Sequence, residues 1–184
     1  MAPFDLQPVL QGTLLDLRPL RIQDFNDLYA VARDPLIWEQ HPAKNRGEAD
    51  QFRIFFQESL DSGGALIATE KTEGRIIGSS RYFGYSETGS EIEIGWTFLA
   101  RSYWGGRYNG EMKRLMLEHA FRFVERVVFL IGPMNYRSQR AVEKIGAIRL
   151  PTTRNNNGRE SLVYQITAAA FRSFPAPGAG PAAS

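Results

Sequence analysis

Residues 103–117, YWGGRYNGEMKRLML, place two adjacent glycines, an arginine and a third glycine at the start of an expected helix. The first turn of a helix presents unpaired N–H groups and the positive end of the helix dipole, so it holds phosphate well. Gly105, Gly106 and Gly110 carry no side chains and let an anion approach the backbone, while Arg107 adds a positive charge. The same residues also fit a plain tight turn between strand and helix. The sequence has no G-x-x-x-x-G-K-[ST] and no G-x-G-x-x-G opening a βαβ unit, so neither common nucleotide loop is present.

A second set of residues suits proton transfer. Glu91 and Glu93 lie two apart on a predicted strand and share a face, where they serve either as acid–base groups or as ordinary solvated positions. His119 titrates in the range of a base, but it falls on the apolar stripe of the helix, the place of a structural residue. His41 lies in a polar loop beside Pro42, with Glu39, Gln40, Lys44 and Asn45, and is a candidate for an acceptor pocket. With 0 cysteines there is no disulfide framework, zinc ribbon or thiol nucleophile. No metal site is expected.

The elements that must position these groups follow from periodicity. TLLDLRPL suits a strand, and Phe25, Leu28, Tyr29 and Ala32 recur at helical spacing before Asp34-Pro35. Phe52, Phe55, Phe56 and Leu60 define a second helix, ended by Gly63-Gly64. Residues 65–99 hold three β-rich runs in an antiparallel meander. The helix after the glycine turn carries Met112, Leu115, Met116, His119, Ala120 and Phe123 on one stripe, with Lys113, Arg114 and Glu118 off it. VVFLIG suits a strand buried on both faces. A short helix over YRSQRAVEKIGA is closed by Gly146, and the last two strands flank an asparagine–glycine turn in RNNNGRE. The expected class is α+β, a mixed and mostly antiparallel sheet flanked by about four helices.

The 184 residues fit one domain over 1–174, with a proline–glycine–alanine tail at 175–184 expected to be disordered. A net charge of +2, from 22 basic and 20 acidic residues, argues against nucleic acid as a partner. No apolar run approaches the roughly 18–20 residues that span a bilayer, and the N-terminus lacks the pattern of a signal peptide, so a cytoplasmic location is expected. Nothing in the composition sets the oligomeric state, and a homodimer stays open.

EIGWTFLARSYWGGRYNGEMKRLMLEHAF followed by NYRSQRAVEKIGA resembles the GCN5-related N-acetyltransferase (GNAT) superfamily. Within it the chain is similar to the branch of ribosomal-protein N-terminal acetyltransferases (RimJ/RimL-like), in LRPLRIQDFNDLY, DPLIWE and RIIGSSRYFGY as well. The similarity runs over roughly residues 13–167. It implies a sheet that splays open after its fourth strand, acetyl-coenzyme A in the gap, and transfer of acetyl to a primary amine. It also implies that Thr97, Phe98 and Leu99 pair with the pantetheine amides. Trp104, Gly105, Gly106, Arg107, Tyr108, Asn109 and Gly110 would form the pyrophosphate loop and first helical turn. Asn135 would hydrogen-bond the cofactor, and Ser138 would lie near its sulfur.

The resemblance places Glu93 at the position of the base, with Ser138 as acid and Tyr136 as its substitute. Ser138 equally fits a helix cap. Absence of cysteine excludes an acetyl-cysteine intermediate, leaving direct attack in a ternary complex. Trp38, Trp96, Tyr82 and Tyr85, with Glu91 and His41, are candidates to line the acceptor site, which would take a protein N-terminus or a small amine. One departure from the family concerns Arg107, which falls where a central glycine is usual, as Asn109 does where glycine or alanine is usual. If that position is left-handed, arginine costs on the order of 1 kcal/mol; alternatively Gly106 takes the turn and Arg107 pairs with phosphate. The alternative function is a non-catalytic acyl-coenzyme A-binding module with a degenerate loop.

Overall fold

The computed structural model describes residues 3–156 and 159–173. Eight strands form one sheet. They are β1 (Leu10–Gln11), β2 (Leu15–Pro19), β3 (Ala65–Glu70), β4 (Ile76–Ser86), β5 (Glu91–Leu99), β6 (Arg126–Ile131), β7 (Ile148–Asn156) and β8 (Arg159–Thr167). Their order is β1-β2-β3-β4-β5-β6-β8-β7, and only β5 and β6 run parallel. The helices are α1 (Phe25–Ala32), α2 (Ala49–Asp61), α3 (Arg107–Ala120), α4 (Tyr136–Glu143) and α5 (Ala168–Ser173). The mixed, mostly antiparallel class is as expected, and β1 and the six-residue α5 are additions to it. The tail at 175–184, and Asn157 and Gly158 of the expected asparagine–glycine turn, lie outside the described residues.

Alternation along each strand divides the apolar side chains between two clusters. On β3, Leu66 and Ala68 join the cluster that holds α3, while Ala65 and Ile67 join the cluster of α1 and α2. On β5, Ile92 and Ile94 face α3, yet so does Leu99, while Phe98 faces α2. The parity inverts because Gly95 pairs with Arg81 and Phe98 with Ser79, leaving Trp96 and Thr97 opposite Ser80. This is a β-bulge, and Trp96 within it takes a left-handed φ of 50°. Consequently Glu93, paired with Phe83, faces the α2 side, whereas Thr97 and Ser80 bond to each other on the α3 side at 2.7 Å.

The sheet opens between β5 and β6. They pair only over Glu91–Glu93 and Arg126–Val128, although both strands continue. The opening follows the fifth strand, not the fourth, because the short β1 adds one to the count. Beyond Glu93 the edge of β5 that faces β6 has no ladder partner among the described residues, so backbone groups along it are available to an extended guest.

Candidate active site

A cavity of about 1460 Å³ runs through this opening. Its α3 end is built on the glycine turn. Gly105 and Gly106 take φ of 104° and 110°, a region closed to most side chains. Gly106 is the N-cap of α3, and no side chain caps the first turn. A Cβ at Gly105, Gly106 or Gly110 would point into open space, so the missing side chains leave room for a ligand at free backbone donors. Arg107 therefore does not occupy the left-handed position; Gly106 takes the turn, and Arg107 is the first residue of the helix. Arg107 is exposed and Tyr108 packs edge-on against Tyr103 at 4.8 Å, and neither side chain lines the cavity. Trp104, Asn109, Thr97, Phe98 and Leu99 do line it, with the Trp104 indole N–H donating to the Leu99 carbonyl at 2.9 Å.

Glu111 anchors this end. Its carboxylate accepts from the backbone N–H of Thr13, Leu14 and Leu15 at 2.9, 2.7 and 3.0 Å, tying the first turn of α3 to β2. Lys113 departs from the sequence expectation, because it is 4% exposed instead of lying off the buried stripe. Gly106, Gly110, Lys113 and Leu117 follow one another at helical spacing and all line the cavity, a second buried face of α3. Lys113 Nζ donates to Thr97 Oγ1 at 2.5 Å and lies 5.4 Å from the centre of the Phe129 ring. Burial lowers its pKa to about 7.

At α4 the cap of the helix is Asn135, whose side chain accepts from the Ser138 N–H at 3.2 Å. Ser138 is thus the capped residue and not the cap, and both residues line the cavity. Tyr136 is exposed on the cavity rim, its hydroxyl 3.6 Å from Met134 sulfur. Arg137, not singled out by the sequence, closes the wall. Its guanidinium stacks 3.9 Å from the Trp104 ring centre and donates to the Ile37 carbonyl at 3.0 Å, while its N–H donates to Gln40 at 3.0 Å.

On the α2 side Glu93 lines the cavity with Trp38, His41, Arg46, Glu58 and Trp96. Burial raises the Glu93 pKa from 4.5 to about 7, the nearby charges of Arg154 and Arg81 opposing the rise. Trp38 is buried, donates to the Ala32 carbonyl at 2.7 Å and packs on Phe98 at 5.1 Å. His41 Nδ1 accepts from the Ala43 N–H at 2.9 Å, and Arg46 lies 3.2 Å from its other nitrogen.

Three expected acceptor-site residues, Tyr82, Glu91 and Tyr85, lie elsewhere. Tyr82 is fully buried on the α3 side, where its hydroxyl donates to the Met116 carbonyl at 2.7 Å; the tyrosine belongs to the core. Glu91 is outside the cavity wall and pairs with Arg154 at 2.9 Å and Arg126 at 3.7 Å. Tyr85 packs on Phe4 at 5.4 Å, and His119 is buried with Nε2 2.7 Å from the Asp5 carbonyl, which gives it a structural place.

A helix start with free backbone donors, an unpaired strand edge and a half-buried carboxylate in one gap are the outline of an acyl-transfer site. Residues 15–148 match the family model described as an acetyltransferase (GNAT) domain. The chain belongs to the GNAT acetyltransferase family. It matches no curated protein sequence. A GCN5-related N-acetyltransferase from Brucella melitensis is similar at 16% identity and a TM-score of 0.81, over 92% of this chain and 83% of that one. RimJ from Mycobacterium smegmatis, in complex with CoA-disulfide, is similar at 20% identity and a TM-score of 0.62, over 84% and 82%. An acetyltransferase from Agrobacterium tumefaciens is 23% identical with a TM-score of 0.69, over 86% and 94%. At these identities the structural likeness bears on the GNAT fold, and the family match carries the assignment as an acetyltransferase. Among the described residues no helix of this GNAT protein is long and apolar enough to cross a membrane.

Proposed function

We propose that the chain is an N-acetyltransferase that passes the acetyl group of acetyl-coenzyme A to a primary amine by direct attack in a ternary complex. The observation that carries this is the cavity itself, which joins the uncapped start of α3 on one side of the sheet to Glu93 on the other. The thioester supplies an activated acyl carbon. The backbone donors at the first turn of α3 hold the pyrophosphate, and the open edge of β5 past the bulge pairs with the pantetheine arm as a guest strand. Asn135 still has its amide N–H groups to offer from the α4 side. Glu93 accepts the proton that the amine loses, directly or through water, and a pKa near 7 suits that task at neutral pH. Ser138 donates to the departing sulfur, with Tyr136 next to it on the rim.

The acceptor is a protein N-terminus or a small amine. Glu58 and Glu93 at the α2 end attract an amine as its ammonium form, and the loop carrying Trp38 and His41 shapes its entrance. Thiol release from acetyl-coenzyme A against a panel of amines and peptides is expected to find a turned-over acceptor. Tight coenzyme A binding with no turnover on any of them favours the non-catalytic module instead.

The glycine turn gives a separate check. Gly106→Ala forces a side chain into φ 110°, a conformation that costs about 1–2 kcal/mol. Calorimetry is expected to show coenzyme A binding weakened by roughly 5- to 30-fold, the same energy expressed as affinity. Arg107→Gly should change it far less, since Arg107 is already helical.

A further inference from the structure

Lys113 is a buried cationic side chain of the cavity wall that the reaction above does not use. Its amine is buried on the α3 side, where Thr97 Oγ1 is the acceptor given to it among the described residues. An ammonium has three donors, so two remain. Among the described residues no carboxylate pairs with it, and burial is what shifts its titration. The other side of the amine is the face of the Phe129 ring. A buried cation without a counter-charge is costly, and a site that opens onto a ligand cavity is where a ligand can supply one.

Its position along the cavity selects the part of the ligand. Lys113 lies seven residues beyond Gly106, about 10 Å along the helix axis from the first-turn donors. Its partners lie on the two strands that flank the opening. Thr97, in the bulge, is the vertex-side end of the β5 edge that pairs with the pantetheine arm, and Phe129 is the first residue of β6 past the last paired residue, Val128. With phosphates at the start of α3, the vertex receives the acyl end of the donor.

We propose that Lys113 fits the donor pocket, besides acetyl-coenzyme A, to acyl thioesters whose acyl chain ends in a carboxylate, such as the malonyl and succinyl thioesters of coenzyme A. This rests on reading the cavity as a coenzyme A thioester site. The ligand carboxylate takes the two donors that Thr97 leaves, forming charge-assisted hydrogen bonds to a buried amine. An acetyl group offers nothing at that point and leaves the amine without a counter-ion.

Calorimetric titration with coenzyme A and with its acetyl, malonyl and succinyl thioesters tests the proposal without any acceptor present. Malonyl or succinyl coenzyme A is expected to bind the native chain at least about ten-fold more tightly than acetyl-coenzyme A, the effect of one charge-assisted hydrogen bond. In Lys113→Met, which fills similar space without charge, that preference should disappear while acetyl-coenzyme A binding stays within about two-fold. Lys113→Arg keeps a cation and should keep part of the preference. Equal affinities for the three thioesters on the native chain overturn the proposal, whatever the variants do. So does an equal loss for every ligand in Lys113→Met, which would place the amine on the shared pantetheine arm. Failure of all four ligands to bind the native chain removes the cofactor reading itself, an outcome distinct from a lack of acyl preference.

Discussion

Replacing Glu93 with glutamine is expected to lower acetyl-transfer turnover by about 10²- to 10⁴-fold while making the protein more stable at alkaline pH. Both effects come from the same burial. In the folded chain Glu93 titrates near pH 7 instead of at 4.5. Between those values the folded state holds a proton that the unfolded chain has released. The contribution to stability is therefore full below about pH 4.5 and is lost as pH rises through 7, where the folded state must carry a desolvated carboxylate. Glutamine has no such charge, so the variant should gain roughly 1–3 kcal/mol over the native chain above pH 7 and nothing at pH 4. Activity runs the opposite way. The native rate should climb through pH 7 as the carboxylate forms, and this limb should vanish in Glu93→Gln. Denaturant melts at pH 5 and 9, together with a pH–rate profile, separate the cases. An unchanged pH profile would remove Glu93 as the base, and loss of activity with loss of stability would mean a role in packing alone.

Glu111→Ala is expected to have the largest effect on stability, about 2–4 kcal/mol. Three backbone N–H groups converge on this carboxylate, and the one on Leu15 is fully buried. Alanine leaves them without an acceptor and opens a gap between α3 and β2. With a slope near 2 kcal/mol/M for a chain of this size, the urea midpoint should fall by about 1–2 M. Glu111→Gln, which retains one acceptor oxygen, should fall by less than half as much. Because the same residue fixes the first turn of α3, coenzyme A affinity should drop along with stability in both variants. A midpoint unchanged within error in Glu111→Ala would show that the three contacts exchange freely with water.

The elements were legible wherever periodicity ran long enough. Phe52, Phe55 and Phe56 announce α2, and the glycine turn with the apolar stripe after it announces α3. Two-residue β1 and six-residue α5 are too short to show a period. The resemblance singles out Glu93 and Ser138 as candidates, and both line the cavity. Tyr82 was misplaced because a strand residue shows its alternation but not which face meets the core. Lys113 escapes a reading that gives α3 one buried stripe, although its spacing from Gly106 and Gly110 marks a second. Arg137 reaches Ile37 and Gln40 about a hundred positions away, a contact that no local pattern encodes.

The bulge at Trp96–Thr97 has a kinetic consequence. By turning Glu93 and Thr97 to opposite faces, it makes the sheet a partition with one window, so on the proposed reading donor and amine arrive from different sides and neither stands in the other's exit. Free coenzyme A should therefore compete with the donor thioester but only lower the maximal rate against the amine. Changes in the loop holding Trp38 and His41 can likewise retune the choice of amine while the affinity for the donor is inherited intact.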